Sequence, residues 1–196
     1  IMKFSPALKA LVVGVALATS SAAMAITSSF VVDASANSTS GGTGVNTFSL
    51  VAGQQFSVTV DENDLWNAGA LPRWSNANGL NTNLYYANGM DPEVSVSSGT
   101  QIGSVFGNWT QGGLTDAYGS LVGQIGSGSF FKIGTSFTGT ASASGFLKLF
   151  YFDSNLADNS GSITAQVTAV PEPETYAMLL AGLGLMAGIA RSRKNK

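Results

Sequence analysis

Alternation of polar and apolar residues sets the reading of this chain. Residues 162–170, Ser-Ile-Thr-Ala-Gln-Val-Thr-Ala-Val, put Ile163, Ala165, Val167 and Ala169 on one face of an extended strand, and residues 56–60 (Phe-Ser-Val-Thr-Val) alternate in the same way. Further strands are expected at 29–33, 46–51, 120–125, 130–133, 136–141 and 146–152, separated by Gly-, Ser- and Asn-rich turns. Eight short strands at this spacing, with no sustained helical period in residues 26–170, predict an all-β fold: a single β-sandwich or jelly roll. Residues 34–44 have neither period nor hydrophobicity and read as the loop joining the first two strands. Residues 61–116 are less regular and carry all three tryptophans. A connection of that length in a compact domain is expected to be functional or poorly ordered. Trp66 and Trp74 either plug one end of the sandwich, as the large apolar area of an indole favours, or lie open as ligand-binding platforms on which a sugar ring stacks.

The two ends of the chain follow other patterns. Lys3 and Lys9 precede an apolar run at 11–18 and a small-x-small site, Ala23-Met24-Ala25, which together predict a signal peptide over 1–25. At the other end stand Pro171, Glu172 and Pro173, then a nearly pure apolar run at 176–190, then Arg-Ser-Arg-Lys-Asn-Lys. A bilayer core takes about 20 helical residues, so this run is a marginal span that tilt or local thinning would complete. The four terminal cations would stay in the cytoplasm and leave the body outside. The proline pair stiffens an extended segment within reach of a processing enzyme. The expected organisation is thus 1–25, 26–170 and 171–196.

This tripartite tail closely resembles the PEP-CTERM sorting signal of Gram-negative bacteria. The resemblance implies recognition by an exosortase after a transient inner-membrane anchoring through the C-terminal helix, removal of the tail, and delivery to the cell surface, the outer membrane or an extracellular polysaccharide matrix.

Charge changes the picture of the body. Six of the nine Lys and Arg lie in the two end segments, leaving Arg73, Lys132 and Lys148 against nine carboxylates, a net charge of −6. Such a surface excludes nucleic acid as a partner and suits a divalent cation. Without cysteine or histidine, the body has no disulfides, zinc site, Ser-His-Asp triad or cysteine nucleophile, and its stability rests on its core. Asp61, Glu62 and Asp64 cluster, but at a strand end Asp61 and Glu62 point to opposite faces. The facing carboxylates of a glycosidase are not expected, and the chain is read as no enzyme.

The richest constellation is the loop 153–161, Asp-Ser-Asn-Leu-Ala-Asp-Asn-Ser-Gly, between an apolar and an alternating strand. It gathers Asp153, Asn155, Asp158 and Asn159, whose carboxylate and amide oxygens are the hard, flexible ligands that calcium takes and that magnesium fits less well. The alternative is an Asx-rich turn whose side chains bond only their own backbone. Residues 120–128 and 145–167, including this loop and its Ser-Gly-Ser turn, look like the C-terminal half of the calcium-dependent galactophilic LecA-like lectins. The order of a first strand, a Gly loop, Ala52-Gly53-Gln54 and a Trp-containing loop is similar to their N-terminal half, while residues 81–115 have no counterpart.

That resemblance implies a galactose-binding-domain-like sandwich in which calcium is held by a strand-end Asp, two Asn before the turn, and two backbone carbonyls, with sugar hydroxyls completing the shell. Carried over, Asp153 matches the strand-end Asp and Asn159 the second Asn. Asp158 stands at the first Asn, and the carbonyls fall near Leu156 and Gly69. The loop is two residues shorter than the family's, and the family's sugar-contacting His has no equivalent here. The function so implied is calcium-dependent carbohydrate binding, with an exopolysaccharide as the candidate ligand. The alternative on the same fold is a structural or adhesive matrix protein without a discrete ligand site.

Overall fold

The structure, a computed structural model, describes residues 24–90, 94–171, 181–187, 189, 191 and 193. In chain order the strands are β1 (Ile26–Asp33), β2 (Val45–Leu50), β3 (Gln55–Val60), β4 (Trp66–Asn67), β5 (Trp74–Ser75), β6 (Leu84–Tyr85), β7 (Gln101–Gly103), β8 (Asn108–Gln111), β9 (Leu114–Ala117), β10 (Ser120–Ile125), β11 (Phe131–Lys132), β12 (Ser136–Thr140), β13 (Gly145–Phe152) and β14 (Ser160–Ala169). All eight strands expected from the pattern are present, one with both ends as expected and the others with an end displaced by at most three residues. The six short strands β4 to β9 fill the stretch that carried no pattern.

Residues Ala25–Pro171 form one compact unit, an antiparallel sandwich. One sheet has the order β12-β3-β14-β4-β5, with β1 on the other edge of β14, and the second has the order β11-β10-β13-β2. β14 is the spine of the first sheet. It pairs along its length with β1, from Ile26 opposite Ala169 to Asp33 opposite Ser162. On its other side it pairs with β3 near its end and with β4 near its start. Its inward positions, Ile163, Ala165, Val167 and Ala169, are buried with Phe56, Val58 and Val60 of β3 against Leu121, Ile125, Leu147, Leu149 and Tyr151 of the second sheet. Period-2 patterning thus decides which face of each strand is covered.

β13 is apolar nearly throughout because its far end is covered on both faces. Leu147, Leu149 and Tyr151 face the main core. Phe150 and Phe152 point the other way and pack with Val122 beneath Trp109, Leu114 and Phe130, a cover supplied largely by the β8–β9 hairpin. A strand buried twice loses its polar alternation.

The irregular stretch is built on a small core of its own, in which Leu65, Trp74, Val94 and Ile102 are buried with Leu84, Tyr86, Met90 and Val96 against them. Of the tail, residues 181–187 are helical, with Leu183, Leu185 and Met186 exposed. Among the described residues no helix is long and apolar enough to cross a membrane. The rest of the expected span, most of the signal peptide, and Glu172 and Pro173 lie outside the described residues.

Candidate functional site

The loop between β13 and β14 joins the two sheets at one mouth of the sandwich, and the alternation of both strands runs on into it. Asp153 continues the inward series Leu147, Leu149, Tyr151. Asn159 precedes by two residues the position of Gly161 and by four that of Ile163 on the inward face of β14. Both are therefore turned into the mouth, and both are buried.

The expected loop at 34–44 is a structured wall of this mouth. Asp33 accepts hydrogen bonds at Oδ1 from the backbone N–H groups of Ser35 (2.9 Å) and Ala36 (2.6 Å), which turns the chain over the 153–159 loop. The Thr39 hydroxyl donates to the Asp153 carbonyl (3.0 Å) and accepts from its N–H (3.3 Å). Ser35 Oγ donates to the Leu156 carbonyl (3.0 Å), and Asn159 Nδ2 to the Ala34 carbonyl (3.2 Å). Gly, Ser and Thr suit this wall because their backbones and short hydroxyls approach closely: a Cβ on Gly42 would lie 2.5 Å from the Ala36 carbonyl oxygen.

The functional groups differ in how well they are satisfied. Asp153 accepts from Ser154 N–H at 2.6 Å. Burial raises its pKa above the usual carboxylate value, opposed by hydrogen bonds from Ser154, Asn155 and Asn159 and reinforced by the charge of Asp158. Asn159 is 8% exposed and its Oδ1 has no hydrogen-bond partner among the described residues. A buried amide oxygen left unpaired is costly and calls for an explanation.

Asp158 and Asn155 stand on the open side of the same loop. Asn155 Nδ2 donates to Asp158 Oδ1 at 2.8 Å, and Asn155 Oδ1 accepts from Ala157 N–H at 3.2 Å. The other Asp158 oxygen lies against Gly69: a Cβ built there would come within 2.8 Å of it, and the φ of +118° at Gly69 is itself a glycine conformation. The two chain regions assigned by spacing and resemblance, 153–159 and Gly69, are thus brought together.

The tryptophans are placed otherwise. Trp66 is fully buried, packs edge-on against Tyr151 with centroids 4.5 Å apart, and donates from Nε1 to the Gly119 carbonyl at 2.8 Å. It is a plug of the sandwich, and that burial corrects the expectation of a ligand-binding platform there. Trp74, 9% exposed, belongs to the small core of the irregular stretch and offers no open ring face.

Arg73 is the residue that sequence reasoning passed over, counting it only as one of three cations. Its Nη1 lies 4.0 Å from Asp158 Oδ2 and 3.4 Å from the Ala68 carbonyl, and its guanidinium carbon sits 4.2 Å above the centre of the Phe106 ring. Among the described residues no three Asp or Glu side chains converge, so a cation here would draw on amide and backbone oxygens beside two carboxylates. The residues fit such an ion: a desolvated carboxylate and an orphaned amide oxygen share one mouth, with a second carboxylate at its rim.

At the other end of the sandwich a cavity of about 440 Å³ is lined by Phe56, Ile125, Phe130, Phe131, Phe137 and small polar residues, with no charged group.

Residues 169–194 match the PEP-CTERM protein-sorting motif. The tail thus carries the signal of exosortase-sorted proteins, which implies export to the cell envelope. Pro171, the first residue of its Pro-Glu-Pro, follows directly on the last backbone hydrogen bond of the body, Val170 N–H to the Gln55 carbonyl at 3.0 Å. Among curated proteins no similar sequence is found. Among solved structures the chain is similar to one described as "EclA N-terminal domain; PllA-like lectin", at 20% identity and a TM-score of 0.45, over 72% of this chain and 94% of that chain.

Proposed function

We propose that the body of this chain is a calcium-dependent carbohydrate-binding module, exported and then held at the cell surface, the outer membrane or in an extracellular polysaccharide matrix. The observation that carries the reading is the unpartnered, buried Oδ1 of Asn159 beside the buried carboxylate of Asp153. A hard cation answers both: it supplies the charge that makes a buried carboxylate tolerable and a partner for the amide oxygen. We assign to it the side chains of Asp153, Asp158 and Asn159 and the carbonyls of Leu156 and Gly69. The Leu156 carbonyl has a second lone pair beside the one engaged by Ser35. Asn155 orients Asp158 through its 2.8 Å hydrogen bond and stands at the rim where a ligand would arrive. When bound, calcium presents open coordination positions to vicinal sugar hydroxyls. The protein's own part is to bind and orient, without a catalytic step.

The matrix polysaccharide is the ligand class in keeping with the sorting tail and with the position of the loop. Asn159 lies just before β14 and Pro171 just after it, so about 30 Å of strand separates binding loop from tail attachment. Calorimetry with calcium, followed by a glycan array with and without chelator, tests the reading. Glycan signals abolished by chelator are expected. Binding of neither calcium nor any glycan would leave a structural or adhesive matrix module.

A further inference from the structure

Arg73 stands beside the proposed cation ligands with most of its hydrogen-bonding capacity unspent. Guanidinium carries five N–H donors in a planar fork. Among the described residues its one side-chain hydrogen bond is the 3.4 Å contact to Ala68, and Asp158 at 4.0 Å is beyond hydrogen-bond reach. The group is nevertheless held in place. It lies on the Phe106 ring, itself braced edge-on by Tyr118 at 5.1 Å. Its backbone is tied on both sides, through the Ala68 N–H to Arg73 carbonyl bond at 3.0 Å and a bridge to Gly103.

The chain segments on either side of this guanidinium carry exposed apolar side chains. Val105 is 63%, Leu71 53% and Phe106 44% exposed. The segments that bear them are joined, because Ser104 Oγ donates to the Pro72 carbonyl at 3.2 Å. The side chain of Arg73 is itself 36% exposed. Of the other two body cations, Lys132 is committed to Asp116 at 2.7 Å, and Lys148 lies mid-strand in β13, opposite Gln124 and Asn46. In a body of net charge −6, the one cation at the binding mouth is a pre-oriented arginine with an apolar margin. A neutral hexose gives such a group no charge to meet. A sugar that carries a carboxylate gives it a bidentate partner.

We infer that the saccharide taken at this mouth is acidic, a uronate or another carboxylate-bearing pyranose, and that Arg73 is the residue that selects it. This rests on the calcium-dependent binding proposed above: ring hydroxyls complete the shell of the ion while the carboxylate turns to the guanidinium.

The test compares sugars of one ring configuration by calorimetry on the full chain in detergent with calcium: galacturonate against methyl galactoside, and glucuronate against methyl glucoside. The expected result is that at least one uronate binds about tenfold more tightly than its neutral counterpart, the worth of one charge-assisted hydrogen bond. Arg73→Gln should abolish that margin while leaving the neutral sugar's affinity and sugar-free calcium binding no weaker. Arg73→Lys, which keeps the charge and loses the fork, should restore part of it and controls for folding. Equal affinity for both members of each pair, unmoved by Arg73→Gln, overturns the inference and leaves calcium-dependent binding standing. Absence of calcium binding together with absence of sugar binding overturns both.

Discussion

Ile26 and Ala169 face each other as register partners at the closing end of β14. The residue that follows the expected signal-peptide site is thereby locked to a residue two positions before the Pro-Glu-Pro, and both ends of the body leave from one pole. Their pairing uses only residues of the body, and Val170 closes it with its bond to Gln55. A fragment spanning 26–170 should therefore be soluble and show the same β-rich circular dichroism and cooperative melting as the full chain. Aggregation of the fragment, with a full chain that folds in detergent, would make the tail part of the core.

Calcium should raise the melting temperature of the chain. An ion bound by the native state alone stabilises it by about 2.7 kcal/mol when its free concentration is a hundred times the dissociation constant. A flat melting temperature across a calcium titration, with no heat of binding, would falsify the assignment of Asp153, Asp158 and Asn159 to one ion.

Asp153→Asn separates the ion from the fold. The substituted amide keeps an acceptor for Ser154 N–H, and the charge whose burial raises the Asp153 pKa is removed. The calcium-free protein should melt no lower than the wild type, while the calcium-dependent rise should largely vanish in thermal scans. Asp158→Asn, at the exposed rim, should lower calcium affinity only modestly.

Gly69→Ala tests the meeting of the two chain regions. A side chain at φ +118° costs about 1–3 kcal/mol, and its Cβ would press on the Asp158 carboxylate from 2.8 Å. Both stability and calcium affinity should fall. If denaturant unfolding shows the loss and calcium affinity is unchanged, Gly69 is not beside the ion.

Trp66→Ala should be a stability mutation with no selective effect on ligand. It empties a fully buried site against Tyr151 and leaves the Gly119 carbonyl without its donor. The expected cost is about 3–5 kcal/mol in chemical denaturation. Glycan binding by whatever fraction remains folded should keep its wild-type affinity.

Strands such as β14 were legible because one face stays wet, and a wet face writes polar residues at every second position, between Ile163, Ala165, Val167 and Ala169. β13, covered on both faces at its far end, was legible instead as an apolar run between turns. The targeting tail was legible because the alternating pattern gives way, within a few residues of Pro171, to an unbroken apolar run and then a basic terminus. The oxygen-rich loop was legible by residue type, since few other turns gather Asp153, Asn155, Asp158 and Asn159 so closely. β4 to β9 were not, because strands of two to four residues are too short to show a period. What holds them is a core assembled from Leu65, Trp74, Val94 and Ile102, far apart in the chain. Nor did any local pattern announce that Ser35 and Thr39 would clasp the loop, that Trp66 would be sealed against Tyr151, or that Arg73 would lie between Phe106 and Asp158. Alternation is a property of neighbours along one strand. Convergence of distant side chains at one mouth depends on how the sheets close on each other, and only the folded chain holds that information.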